Sequence, residues 1–229
     1  MHFAVVGPAP ARDTPAMPAA VDIEAAVAEA QSVRPVDDDR VPAVAAAMAR
    51  GFEDDPVMRW FFPDDAQRLD QLDQVFRLML GHRTYRDHYA DRWTTGAAVG
   101  GALWAPPGRW HVGPFESLGL LPRWAAVAGW RSVPRILRGI TAMEKHHPER
   151  EHWYLPVVAV EPDWQGRGLG SAILRPALDR CDRERLPAYL EATTTRSRGC
   201  YERLGFRTTG EIRLPDGPSM WPMWREPGS

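Results

Sequence analysis

Lysine is almost missing from this 229-residue chain: Lys145 stands alone, and arginine carries the remaining positive charge. We read that bias as genome composition rather than mechanism. Cysteine is nearly as scarce. Cys181 and Cys200 are too few and too isolated for a disulfide framework or a zinc pattern, and reduced thiols in a cytoplasmic setting are expected. No apolar run approaches the ~20 residues a membrane span needs. The opening stretch MHFAVVGPAPARDTPAMPAA lacks both a basic start and a long apolar core, so it makes a poor secretory signal. The chain also lacks an excess of positive charge. Its 28 basic and 30 acidic residues leave a formal charge of −2, which argues against nucleic acid as the partner. Seven histidines are scattered without HExxH or comparable spacing, and no metal is expected.

What is present is an ordinary globular composition, 44% hydrophobic and 25% charged, enough for one domain with its own core. Residues 1–30 are rich in Ala, Pro and Val without a clear period. They read as a flexible extension whose best local structure is a short helix, Ile23 to Ala30. A single domain is expected over 31–229. Residues 31–36 suggest a short strand, and Asp37, Asp38 and Asp39 then supply N-cap and first-turn acids for a helix over 41–50. Apolar residues Leu69, Leu72, Val75, Phe76 and Met79 predict a helix over 66–81. Residues 91–95 and 97–105 read as a hairpin. Irregular helices interrupted by Pro122 and Pro134 are expected over 114–147. A strand over 153–160, a helix over 168–184, a strand over 188–192 and a short helix over 197–204 follow. Gly205 ends that last helix, and strands over 206–214 and 220–225 close the chain. The second half therefore reads β-α-β-α-β-β, a mixed α/β (α+β) sheet with helices.

The most informative segment is Gln165-Gly166-Arg167-Gly168-Leu169-Gly170-Ser171, which follows a strand and opens a helix. Free N–H groups and the positive dipole end of a helix attract phosphate, and glycines let the backbone adopt positive φ and approach closely. Arg167 can add charge and Gln165 can brace the loop. Two other readings stand beside this one. The glycines could form a simple strand-to-helix turn. A dinucleotide-binding loop would place an acid ~20 residues on, which Glu191 roughly satisfies, although that loop belongs near the start of a βαβ unit. A Walker loop is excluded, because no Gly-Lys-Ser/Thr follows.

QGRGLG after VVAVEPDW, with CYERLGF downstream, resembles the GCN5-related N-acetyltransferases (GNATs). The stretches AVEPDWQGRGLGSAILRPALD, PAYLEATT, YERLGF and the ending LPDGP–MWPMWR resemble most closely the subgroup that acetylates puromycin. The last third of the chain carries the likeness; GFEDDPVMRWFFPD matches only loosely, and the residues before Gln31 have no counterpart. The resemblance implies a mixed, mostly antiparallel twisted sheet of about six to seven strands flanked by helices. It implies acetyl-CoA as the acyl donor and a direct transfer in a ternary complex. Carried over residue by residue, Val158 and Val160 offer backbone groups to the pantetheine arm and the acyl carbonyl. Gln165, Gly166, Arg167, Gly168, Gly170 and Ser171 hold the pyrophosphate.

Aminolysis of a thioester needs a neutral amine, donors for an oxyanion, and a proton for the leaving thiolate. Tyr201, expected near the start of its short helix, matches the family's tyrosine and is the expected acid; by position alone it would read as a core aromatic beside Phe206. Glu191, among apolar residues of a strand, is the expected base, directly or through water, unless it faces solvent. Cys200 has no histidine near it in sequence, so a covalent route is disfavoured. Thr194 stands where the family often has asparagine, and Ser197 or Thr195 could take over its contact. Pro176 falls inside the expected helix as a tolerated kink. On the acceptor side, Glu53, Asp54 and Asp55 precede the aromatic Trp60, Phe61 and Phe62, with Trp104 and Trp110 beyond the hairpin. Acids with aromatics suit a cationic amine on an apolar body, and the same residues suit a capped turn followed by core aromatics.

The expected activity is acetyl-CoA-dependent N-acetylation of a primary amine on a small molecule, such as an antibiotic or amino-nucleoside, by a cytoplasmic monomer or homodimer. A transferase acting on protein or peptide N-termini and a silent acyl-CoA-binding regulator are the alternatives. Neither nucleic acid nor membrane is expected as a partner.

Overall fold

A computed structural model describes residues 28–29, 32–111 and 113–229. The expected N-terminal extension lies outside the described residues apart from 28 and 29. The elements run β1 (Val33–Pro35), α1 (Val41–Phe52), α2 (Pro56–Phe61), α3 (Arg68–Gly81), α4 (Arg83–His88), β2 (Asp91–Thr95) and β3 (Gly100–Ala105). They continue with α5 (Pro114–Ala128), α6 (Val133–Glu144), β4 (Trp153–Val160), α7 (Leu169–Glu184), β5 (Ala188–Ala192) and α8 (Thr195–Glu202). The last elements are β6 (Arg207–Thr208), β7 (Ile212–Arg213) and β8 (Ser219–Arg225).

Eight strands form one sheet in the order β1-β2-β3-β4-β5-β8-β6, with β7 paired to β8. Every pairing is antiparallel except β4 with β5. This is the mixed, mostly antiparallel sheet expected, one strand larger. The core is split by the sheet. On one face α1 and α3 bury Val44, Met48, Leu72, Phe76 and Leu80 against Leu103, Val157, Ala159 and Tyr189. On the other face Ile173, Leu174, Ala177 and Cys181 of α7 pack on Trp104, Trp153, Leu155 and Leu190. The i, i+3/i+4 spacing of apolar residues along the three helices supplies these stripes. Helix α7 continues through Pro176, as expected of a tolerated kink.

Four local expectations change. Asp38 and Asp39 form a 3-10 turn ahead of α1 rather than its first turn, and Pro42 sits at the start of the helix proper. The turn after α1 continues into α2, because Asp55 caps it and Pro56 opens it. The expected strand over 206–214 is two short strands that break around Gly210. The segment 114–147 is two regular helices, with Pro122 tolerated inside α5 and Pro134 in the first turn of α6.

Gly51 marks where α1 meets β4. A Cβ there would lie 2.8 Å from the Val160 carbonyl oxygen and 3.0 Å from Ala159 Cβ. Helix propensity alone favours Gly51→Ala by ~1 kcal/mol. Backbone contact reverses the sign: the substitution is expected to destabilise by about 1–2 kcal/mol. Urea unfolding of both proteins checks it, and a stabilised variant would contradict the close approach.

Candidate active site

The site is created where β4 and β5 part. Trp153, Tyr154 and Leu155 pair in parallel with Ala188, Tyr189 and Leu190, and the pairing stops there. Pro156 comes next and has no N–H to give either neighbour. The ladder between β4 and β3 slips by one residue at the same level, between Leu103 and Ala105. Side-chain alternation records the slip: Tyr154 and then Val157 and Ala159 face α1, while Leu155 and then Val158 and Val160 face α7. A bulge of this kind bends a strand and frees backbone groups. Glu161 N–H donates to Val99 O, in register with the β3–β4 ladder. By the alternation of an antiparallel ladder, Ala159 and Val157 bond to β3, and the backbone groups of Val158 and Val160 point into the gap.

The loop after β4 prepares an anion site. Gly166 and Gly168 sit at φ of 77° and 79°, a region that side chains resist, with open space where a Cβ would stand. Gly168 is the N-cap of α7, and the first intrahelical bond runs from Ala172 N–H to Gly168 O. The first-turn N–H groups of Leu169, Gly170 and Ser171 are thereby left to outside partners. Gly170 itself is helical and lies 4.0 Å, by its missing Cβ, from Val160 Cγ2. Gln165 Nε2 donates to Val160 O at 3.0 Å and so braces the loop against β4. The Arg167 guanidinium rests over the Trp164 ring at 5.3 Å, exposed beside the helix end. The donor set fits a pyrophosphate.

On the α1 face of β5, Glu191 lies in a nest of tyrosines. Tyr154 Oη donates to Glu191 Oε2 at 2.9 Å. Tyr189, two residues back on the same strand face, stacks on Tyr154 with centroids 5.8 Å apart. Tyr189 Oη is near enough to lower the carboxyl's pKa, yet neither it nor Glu191 Oε1 completes a well-formed hydrogen bond among the described residues. Burial outweighs both hydroxyls and raises the Glu191 pKa from 4.5 to about 7. A carboxyl poised there accepts a proton near neutral pH. Tyr89, also buried, feels the Glu191 charge.

Tyr201 lies near the end of α8, not near its start, with its ring edge-on to Phe206 at 6.0 Å. Burial, followed by Cys200 and Asp55, raises its phenol above the ordinary value of 10, so it stays protonated. Thr194 and Ser197 are consumed in a capping box at the start of α8, Thr194 Oγ1 accepting from Ser197 N–H at 3.0 Å. Cys200 Sγ is 3.2 Å from Arg203 Nη2.

Four of the acceptor-side residues fare differently. Trp104 is corrected: it is fully buried on the α7 face of the sheet, opposite Glu191, because β3 alternates and Leu103 takes the α1 face. Asp55 is also corrected: Oδ1 accepts from Val57 and Met58 N–H at 2.9 and 3.1 Å, and Oδ2 accepts from the Thr193 hydroxyl, so the carboxylate is spent on structure. Asp54 projects into solvent, paired with Arg59 at 3.3 Å. Trp60 donates to Asp216 O at 3.2 Å and packs by the β7–β8 hairpin, holding α2 to that end of the sheet. The aromatic surroundings of Glu191 come instead from Tyr89, Tyr154 and Tyr189. The signal for Tyr189 was in AYLEA, where alternation sets Tyr189 and Glu191 on one face. Among the described residues, no helix is long and apolar enough to cross a membrane, and no three metal-ligating side chains gather.

A sequence model of the acetyltransferase (GNAT) family matches residues 56–206. An uncharacterized N-acetyltransferase of Schizosaccharomyces pombe is 41% identical over 54 residues, which are 24% of this chain and 22% of that protein. The chain thus spans less than a quarter of that curated relative. A Corynebacterium glutamicum crystal structure described as "histone acetyltransferase HPA2 and related acetyltransferase" is 28% identical, with a TM-score of 0.65 over 86% of this chain and 97% of that one. Arylalkylamine N-acetyltransferase 2 of Aedes aegypti shares the fold at 14% identity and a TM-score of 0.51, over 85% and 97% of the two chains.

Glu191 also carries a prediction about stability. Its pKa is raised on folding, so the folded state is favoured while the carboxyl is protonated, below 4.5, and loses that advantage as pH rises through about 7. Glu191→Gln is therefore expected to raise the thermal midpoint at pH 8 relative to wild type and to leave it nearly unchanged at pH 4.5. Calorimetry at the two pH values reads the difference; equal shifts would mean the carboxyl is not desolvated.

Proposed function

The chain belongs to the acetyltransferase (GNAT) family, and from that membership we propose that it carries acetyl from acetyl-CoA to the primary amine of a small molecule in one direct transfer. The observation that carries this reading is a buried, near-neutral carboxyl among tyrosines on β5, beside the gap that opens between β4 and β5. Acetyl-CoA would lie with its pyrophosphate at the loop from Gln165 to Ser171 and its pantetheine arm along Val158 and Val160. The thioester supplies the acyl group. Glu191, ionised, takes a proton from the acceptor ammonium, directly or through a water. The free amine attacks the thioester carbonyl, backbone N–H groups at the Val160 level stabilise the oxyanion, and the carbon–sulfur bond breaks. The nitrogen's second proton passes to the departing thiolate or to solvent, and Tyr201 meets the leaving sulfur. Its phenol, raised above 10, stays neutral and acts foremost as a hydrogen-bond donor, since full transfer to an ordinary thiolate of pKa ~8.5 would be uphill.

The tyrosine-rich surroundings of Glu191 favour an acceptor with an aromatic or apolar body and a cationic amine. The sequence likeness to the puromycin-acetylating subgroup points the same way, toward an amino-nucleoside or antibiotic amine handled in the cytoplasm. A peptide or protein amine is the second reading, because the 28% identical structure is described as a histone acetyltransferase.

Thiol release from acetyl-CoA against puromycin, aminoglycosides, polyamines, amino acids and short peptides separates the two readings. One small-amine class is expected to turn over; turnover of peptides alone would select the second reading, and acetyl-CoA binding without any turnover would leave a silent binding protein. On the active amine, kcat/KM is expected to rise with pH through about 7 as Glu191 ionises. Glu191→Gln should remove that limb and about 10²-fold or more of the rate, and Tyr201→Phe should lower kcat about 10²-fold with little change in KM.

A further inference from the structure

Between β3 and β4 the chain leaves the sheet for residues 106–152, which carry α5 and α6. The two stems of this excursion meet again beside Glu191. Trp110, from the outgoing stem, stacks on His147, from the returning one, with ring centroids 3.6 Å apart and planes 22° apart. His111 Nδ1 and Glu144 Oε1 join the same stems at 3.3 Å. His147 then turns its ring against both tyrosines of the nest, at 4.8 Å from Tyr154 and 5.0 Å from Tyr189, each near perpendicular.

Hydrogen bonding fixes the two imidazoles. His152 Nδ1 lies 2.6 Å from Arg150 O, a carbonyl that can only accept, so Nδ1 carries the proton. His152 Nε2 therefore accepts, and His147 Nε2, 3.0 Å away, donates. Burial lowers the pKa of both rings, that of His147 to about 3, with His152 and His111 adding to the effect on His147. Both stay neutral across the range in which an acetyltransferase would work.

We propose that the Trp110–His147 stack clamps the α5–α6 excursion over the Glu191 nest, which makes His147 a positioning residue for the base. The inference rests on the reading of Glu191 as that base. The clamp excludes water from the Tyr154–Tyr189 wall and keeps Tyr154 Oη aimed at Glu191. The titratable groups facing the carboxyl are Tyr154 from β4, Tyr189 from β5 and Tyr89 from the segment before β2. Those facing His147 are His152, His111, Tyr154 and Tyr189. Only tyrosine hydroxyls among these groups face the carboxyl, so dryness dominates its behaviour, and opening the clamp admits the water that would normalise it.

The test is an infrared titration of the full chain, following the carboxyl band that Glu191→Gln removes, alongside kcat/KM against pH on the amine that turns over. His147→Ala is expected to move the band's midpoint down from about 7 by roughly one pH unit or more, with the kinetic limb moving equally. His147→Phe keeps a ring in the stack and should hold the midpoint. Trp110→Ala, on the other stem, should reproduce His147→Ala, and the double substitution should add little. An unmoved midpoint in both alanine variants overturns the proposal, as does a His147→Phe variant that shifts like His147→Ala. If the band moves while Glu191→Gln leaves the rate and its pH limb intact, the clamp stands and the assignment of the base falls.

Discussion

From Pro156 onward β4 and β5 have no hydrogen bonds to each other, and the rest of the site is arranged around that parting. A strand pair that stayed zipped would bury its own N–H and C=O groups and leave nothing for a ligand. Here one imino acid and one slipped residue release the edge of β4, turn the backbone of Val158 and Val160 into the gap, and set the loop that follows at the mouth of the opening. The glycine cradle at the start of α7 and the tyrosine at the end of α8 lie where the two diverging strands deliver the chain. Gly51 lets α1 press on the freed segment at Val160 and Ala159, so the released strand is supported from behind rather than left loose.

The second governing constraint is electrostatic. A carboxyl is held in an apolar face with hydroxyls rather than cations as neighbours. An arginine beside Glu191 would keep it ionised at all working pH values and useless for lifting a proton from an ammonium. Tyrosines stabilise either protonation state a little and commit it to neither. Asp182 illustrates the opposite design in the same molecule: Arg225 grips it at 2.7 and 2.9 Å, its pKa falls, and it ties β8 and the Gly228 N–H beyond it to α7.

Much of the fold was legible because its signals are local. Strands 91–95, 153–160 and 188–192, the glycine loop and the helix after it are encoded by alternation, helical spacing and positive-φ glycines within short windows. Glu191 stood out as a charge inside an apolar strand. The misreadings came from relations that cross the sheet. Trp104 looked like a pocket aromatic, yet its face is set by strand parity, and its partners come from α7. Asp55 looked like a recognition acid, yet Pro56 beside it was the sign of a helix start, which consumes it as a cap. Trp110, His147 and Tyr154 are all far from Glu191 in sequence; the β4–β5 pairing brings Tyr154 to it, and the stems of the α5–α6 excursion set Trp110 and His147 behind that tyrosine. Pro156 was the overlooked local clue: a proline in a strand-like run marks the place where pairing fails.

The position of β8 has a consequence for what stiffens the site. The strand that carries Glu191 is held on one side by three residues of β4 and on the other, along all five of its residues, by Trp221–Arg225 of β8. Beyond Leu190 it is a cantilever, fixed along its β8 edge and free along the edge that borders the gap. The rigidity of Glu191 is therefore borrowed from a strand on the far side of β5, one that takes no part in lining the opening.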